Sequence, residues 1–136
     1  MSPHTRDDEP ADRRSIVVAG SAAGRRNGRG PDCSRLPVAS ATIDLAVLAM
    51  AAHELRAPAE RVALFEEIRR VLTPSGRAIV AEHLRDWPNA VAFGPGVLHF
   101  HSRRAWRQSF MQAGLTIDAE HRITPFIAIF VLRRQS

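Results

Sequence analysis

The chain contains no lysine and no tyrosine, and it has one cysteine, Cys33. A lone thiol cannot close an internal disulfide, so packing and hydrogen bonds must hold the fold. That usage fits a reducing, cytoplasmic setting. No apolar run reaches the roughly 18 residues that span a bilayer, so no membrane segment is expected. The chain opens with Ser2-Pro3-His4-Thr5 and an acidic patch, Asp7-Asp8-Glu9, not with the basic start and apolar stretch of a secretory leader. With lysine missing, all 19 basic residues are arginine, set against 14 acids for a net charge of +5. A nucleic-acid footprint needs those cations clustered on one face. Here they are spread along the chain between Asp and Glu, which disfavours nucleic acid as a partner. The abundance of Arg, Ala, Gly and Pro reads instead as the codon bias of a GC-rich bacterial genome. The 136 residues, 45% of them hydrophobic, suffice for one modest core and one domain at most.

Two kinds of sequence meet near residue 35. Residues 1–31 are expected to be disordered or irregular, because they offer little apolar surface to offset ordering entropy. One short strand is expected there, Ser15-Ile16-Val17-Val18-Ala19, followed by a glycine-rich loop over 20–31. From Leu36 onward the pattern is regular. Thr42 to Met50 is apolar on both faces, as a strand between two helical layers must be. Ala57-Pro58-Ala59-Glu60 opens a helix whose stripe is Val62, Phe65, Ile68 and Leu72. Thr73-Pro74-Ser75-Gly76 stops it, and Arg77 to Glu82 forms the next buried strand. Strand, helix and strand with short links imply a parallel βαβ unit. Residues 84–101 read as irregular. Ser102 caps a helix running to about Ala113, with Trp106 and Phe110 inward and Gly114 past its end. Leu115–Ala119 and Ile123–Leu132 are the closing strands.

Several of these segments resemble class I S-adenosylmethionine (SAM)-dependent methyltransferases of the type 11 kind. Asp32-Cys33-Ser34-Arg35-Leu36-Pro37 followed by Ile43-Asp44-Leu45-Ala46-Val47 is similar to the family's acid, small residue, Leu-Pro and hydrophobic-Asp-hydrophobic strand. Phe65-Glu66-Glu67-Ile68-Arg69-Arg70-Val71-Leu72-Thr73-Pro74-Ser75-Gly76 resembles its Glu-x-x-Arg-Val-Leu-Lys-Pro-Gly-Gly segment, with Thr73 and Ser75 as departures. Ala113-Gly114-Leu115 is similar to the turn before its last two strands. The resemblance covers residues 32–132 and implies a Rossmann-like α/β sheet in the order 3-2-1-4-5-7-6, with strands 4, 5, 7 and 6 and their flanking helices present here. Residues 32–136 would then be the C-terminal part of a methyltransferase domain. The family's glycine loop and ribose-binding acid lie well upstream of the Leu-Pro, and only 31 residues precede Asp32. We therefore expect a truncated domain, weak or inactive as it stands. The likeness of residues 16–24 to a first strand and its loop is read as coincidence.

Ligands of open α/β sheets bind beyond the carboxyl ends of the strands. Two acid–histidine pairs fall there, His53 with Glu54 and Glu82 with His83, and all four side chains are expected at one mouth. His53, Glu82 and His83 are the candidate acid–base residues, since His and Glu suit proton transfer near neutral pH. The resemblance adds Asp32 and Cys33 at the adenine, and Leu48, Ala49 and Met50 along the methionine side of SAM. His99 and His101, in the segment that covers substrate in this family, are candidates to touch the acceptor. No His-x-x-x-His spacing supports a metal. The function implied is methyl transfer from SAM to a small molecule. The alternative is a non-catalytic remnant, because loss of strands 1–3 would leave strand 4 as an exposed apolar edge open to a homodimer.

Overall fold

The computed structural model describes residues 14–19, 35–50, 52 and 55–136. Their order is β1 (Ser15–Ala19), β2 (Ile43–Ala49), α1 (Pro58–Val71), β3 (Leu72–His83), α2 (Trp87–Phe93), a 3-10 turn (Gly94–His99), α3 (Arg103–Gln112), β4 (Leu115–Thr124) and β5 (Ile127–Arg134). The strands form one sheet in the order β1-β2-β3-β5-β4. β1, β2 and β3 run parallel, and β5 lies antiparallel to both β3 and β4. This is a Rossmann-like α/β sheet, with the strand order that the resemblance implies.

Two expectations are corrected at the β1 edge. The side of β2 that was expected bare is hydrogen-bonded to β1, with Val17 opposite Val47 and Ala19 opposite Ala49. The homodimer route through that edge therefore loses its premise. β1 also fills the slot beside the family's fourth strand, which its first strand occupies. The strand half of the likeness over residues 16–24 is thus a real placement. The glycine-rich stretch after it lies outside the described residues.

Alternation along the strands sorts the side chains. Ala46, Leu48, Ala78, Val80, Ala128, Phe130 and Leu132 are buried on one face. α1 covers that face with Leu64, Phe65, Ile68 and Val71, and α3 with Trp106 and Phe110. Phe65 meets Phe110 edge-on at 4.8 Å, and Phe110 meets Phe130 of β5 at 5.2 Å. Truncating a ring so enclosed costs about 3–5 kcal/mol. The opposite face, with Leu45, Val47, Ile79 and Val131, is only half-buried. The two helical layers expected around β2 are therefore one full layer among the described residues.

The helix stop at Thr73-Pro74-Ser75-Gly76 is built as a bulge at the start of β3. Ile43 pairs with Leu72 and Leu45 with Arg77, so two steps along β2 match five along β3. Gly76 is needed there, since a Cβ would sit 2.9 Å from the Ile43 carbonyl oxygen. Ser102 caps α3 as expected, accepting from the Ala105 amide at 3.2 Å, and Gly114 takes φ +75° after that helix.

The segment leading into β2 is pinned to α1 by Glu67 and Arg70. Glu67 accepts from the Leu36 amide at 2.8 Å, and Arg70 donates to the Leu36 and Val38 carbonyls at 3.2 and 2.9 Å. The Arg70 hydrogen bond, opposed by burial and helped by the Leu36 amide, lowers the Glu67 pKa from 4.5 to about 2. A carboxyl held below its unfolded value contributes stability above that value and loses it as it becomes protonated. Urea titrations should show a loss of wild-type stability between pH 4.5 and about 2. Glu67→Gln should be less stable at neutral pH and lack that component. An unchanged acid slope in the variant would remove Glu67 as its source.

Candidate functional site

The tips of the three parallel strands come level in one rung, Ala19–Ala49–Ala81. Beyond it the chain leaves β2 through Met50, whose φ of +53° is a left-handed conformation. A non-glycine residue held there is uncommon and strained. Its amide is tied to the Ala81 carbonyl at 2.9 Å, which fixes the turn against β3. Leu48 is fully buried, while Ala49 and Met50 are half-buried at the rim.

Glu82 and His83 do not share a side of the sheet, because neighbouring residues on a strand face opposite ways. Glu82 belongs to the helix-covered face and is fully buried, and its Oε1 accepts the Ala52 amide at 2.9 Å. It fastens the loop after β2 to the end of β3. His83 lies on the other face in a cluster of rings, stacked on Phe100 at 4.9 Å and edge-on to Phe93 at 5.0 Å. Its Nδ1 donates to the Phe126 carbonyl at 2.8 Å. A carbonyl oxygen can only accept, so Nδ1 carries a proton and Nε2 is the ring nitrogen left to face a ligand. The expectation that both acid–histidine pairs converge is corrected for this pair. His53, Glu54, Asp32 and Cys33 lie outside the described residues.

His99 and His101 are held by arginines. Arg56 donates to His99 Nδ1 on the surface. His101 packs edge-on to Trp106 at 5.3 Å, and its Nε2 faces Arg61 Nη1 at 3.3 Å. Burial first, and the Arg61 charge second, lower the His101 pKa from its ordinary value, so both disfavour the charged ring. Arg61 is itself buried and donates to the Leu55 and Arg56 carbonyls at 3.0 and 2.9 Å. It joins the loop after β2 to the end of the 84–101 segment.

That segment, expected to be irregular, is an ordered cap. Asp86 is the N-cap of α2 and accepts the Asn89 amide at 3.2 Å. Burial opposes its charged form, yet hydrogen bonds from Arg122 and Asn89 hold the carboxyl below the ordinary carboxylate range. Asn89 is fully buried, and its Nδ2 donates to Asp86 at 2.9 Å and to the Phe126 carbonyl at 3.1 Å. Arg85 ties the 3-10 turn down through the Phe100 and Leu98 carbonyls, both at 2.9 Å. Asp86, Asn89, Phe93 and Phe126 escaped the sequence reading. Asp86-Trp87-Pro88 was the available signal: a capping residue with proline in the first helical turn.

Residues 14–80 match the family described as methyltransferase domain. The order of strands and the antiparallel position of β5 agree with that match. That match takes in just under half of the chain, and together with the fold it supports a class I methyltransferase domain present in part. The fold recurs in solved structures of low sequence identity. A SAM-dependent methyltransferase from Aquifex aeolicus is 18% identical with a TM-score of 0.62, over 74% of this chain and 50% of that one. The N,N-8-amino-8-demethyl-D-riboflavin dimethyltransferase of Streptomyces davawensis is 18% identical with a TM-score of 0.62, over 79% of this chain and 34% of that one. A structure titled as a pericyclic reaction enzyme is 12% identical with a TM-score of 0.61, over 76% of this chain and 29% of that one. The domain thus spans half or less of the length of these three structures. Among curated proteins none is matched by the sequence. No helix of the described residues is long and apolar enough to cross a membrane.

The cap gives a direct test of its own anchoring. Asp86→Ala deletes both the helix cap and the Arg122 partner and should cost about 0.5–2 kcal/mol. Asp86→Asn retains a capping oxygen and loses an ion pair worth under ~1 kcal/mol. Urea denaturation should rank wild type above Asp86→Asn above Asp86→Ala. Equal losses in the two variants would move the weight from the cap to the charge.

Proposed function

We propose that this domain transfers a methyl group from SAM to a small-molecule acceptor at the carboxyl ends of β1, β2 and β3. The observation that carries the reading is the level rung of three alanines beneath the left-handed turn at Met50. Small residues at adjacent strand tips allow a ligand to approach main chain closely, which a nucleotide-like cofactor needs. That arrangement fits the methionine side of SAM against Leu48, Ala49 and Met50. Asp32 and Cys33 would take the adenine, in keeping with the family resemblance. When bound, SAM supplies an electrophilic methyl on a sulfonium; the chain must align the acceptor and exclude water.

In this reading His83 receives the acceptor's proton, because its Nδ1–H is committed to the Phe126 carbonyl and its Nε2 is the basic site. Glu82 is a positioning residue that holds the β2 loop against β3, and His53 stays a candidate base. His99 and His101 are the residues of the cap proposed to touch the acceptor, and burial and Arg61 disfavour the charged form of His101. The half-buried sheet face favours a second reading, a non-catalytic module that binds another protein or a second copy of itself.

Thermal melting with SAM and S-adenosylhomocysteine separates the two, since a ligand of the native state raises the melting point. The enzyme reading expects a rise with both at millimolar ligand. No shift, with a dimer in sedimentation, would favour the module. Once an acceptor is in hand, His83→Gln should lower the methylation rate by about 10²–10⁴ if it is the base. An unaltered rate and pH profile would remove it from that role.

A further inference from the structure

Apart from Met111 of α3, the exposed large apolar side chains among the described residues fall in two segments. Trp87, Val91, Phe93 and Leu98 belong to the cap, and Ile123 and Phe126 to the tip of the β4–β5 hairpin. Exposed apolar rings that are also packed together mark a binding site more often than scattered exposure. Part of this exposed set is an ordered ring cluster. Phe93 stands at 90° to Phe100, with centroids 5.3 Å apart, and at 88° to Phe126 at 6.4 Å. His83 stacks on Phe100 within 25° of parallel. Phe93 and Phe126 are 45% and 38% exposed, which leaves ring surface available to a ligand.

We propose that His83, Phe93, Phe100 and Phe126 form the acceptor subsite, and that it takes a planar aromatic compound carrying an ionisable hydroxyl. The inference rests on the methyl-transfer reading and names its acceptor class. Ring faces and edges set at right angles offer both stacking and edge-to-face contacts, which a flat aromatic guest satisfies and an aliphatic one does not. The polar group inside the cluster is an imidazole whose proton is on Nδ1. The complementary partner for Nε2 is a hydroxyl that gives up a proton readily. A phenol is far more acidic than an alcohol, so an imidazole is matched to it. The step balances with SAM as the sulfonium donor. The phenolic proton goes to His83 Nε2, and an oxygen lone pair forms the new bond to the methyl carbon. The carbon–sulfur bond breaks with its electron pair left on sulfur, which becomes a neutral thioether.

The test is calorimetric titration of the full chain with 2-naphthol and with a saturated alcohol of similar size, decahydro-2-naphthol. Saturable binding of 2-naphthol below ~1 mM is expected, with the saturated analogue at least about threefold weaker. Phe93→Leu keeps apolar bulk without the ring and should weaken 2-naphthol by about three- to tenfold, with little change for the alcohol. Val91→Ser removes exposed apolar surface outside the ring cluster and should leave naphthol binding unchanged. Equal affinity for the two alcohols, or equal losses in the two variants, would overturn the aromatic subsite. S-adenosylhomocysteine binding without naphthol binding would overturn it and spare the methyl-transfer reading. Ring-dependent naphthol binding without any effect of S-adenosylhomocysteine would leave the aromatic site standing and remove methyl transfer.

Discussion

The structure depends on one constraint, the parallel crossover from β2 through α1 to β3. A right-handed βαβ unit fixes which strand ends lie together. Everything at the mouth inherits its position from that register. The Ala49–Ala81 pairing brings Met50 against β3, and the Met50 amide closes on the Ala81 carbonyl. Glu82 reaches the Ala52 amide only because the strands end level. The bulge over Thr73–Ser75 absorbs the surplus residues, so the crossover connects without shifting that end. Gly76 makes this feasible through its close approach to Ile43.

Much of this architecture was legible because it is written in periodicity and punctuation. The apolar run from Ile43, the three- and four-residue stripe through Phe65 and Ile68, and the caps at Ser102 and Gly114 each have a local physical cause. Tertiary placement was less legible. Ser15–Ala19 carries no sign of its neighbour, and its parallel pairing with β2 is a long-range fact. The hairpin boundary also moved: β4 runs to Thr124, and β5 starts at Ile127. Turn residues Pro125 and Phe126 lie inside what reads as a continuous β-rich stretch.

The site was legible in its location and less so in its parts. Strand-end chemistry pointed to Glu82 and His83, and the period-two alternation of a strand, which sends adjacent residues to opposite faces, was the signal against their convergence. Phe93 and Phe126 read as ordinary apolar residues, although they surround the imidazole. Arg61 reads as one of the outward-facing charges of an amphipathic helix. It is instead buried, where three carbonyl or hydroxyl oxygens and a His101 ring nitrogen meet it. A guanidinium so enclosed stitches two loops together with directional bonds that apolar packing cannot supply.

The carbonyl of Phe126 serves two donors at once, His83 from β3 and Asn89 from the cap. A carbonyl oxygen has two lone pairs, so its capacity is spent on these partners. Hairpin loops ordinarily tolerate insertions well. Here a residue added between Thr124 and Ile127 would rotate that oxygen away from both donors together. The imidazole would lose what fixes its tautomer, and the cap would lose its tie to the hairpin. The length of this two-residue turn is therefore coupled to the protonation pattern of a histidine more than 40 positions earlier in the chain.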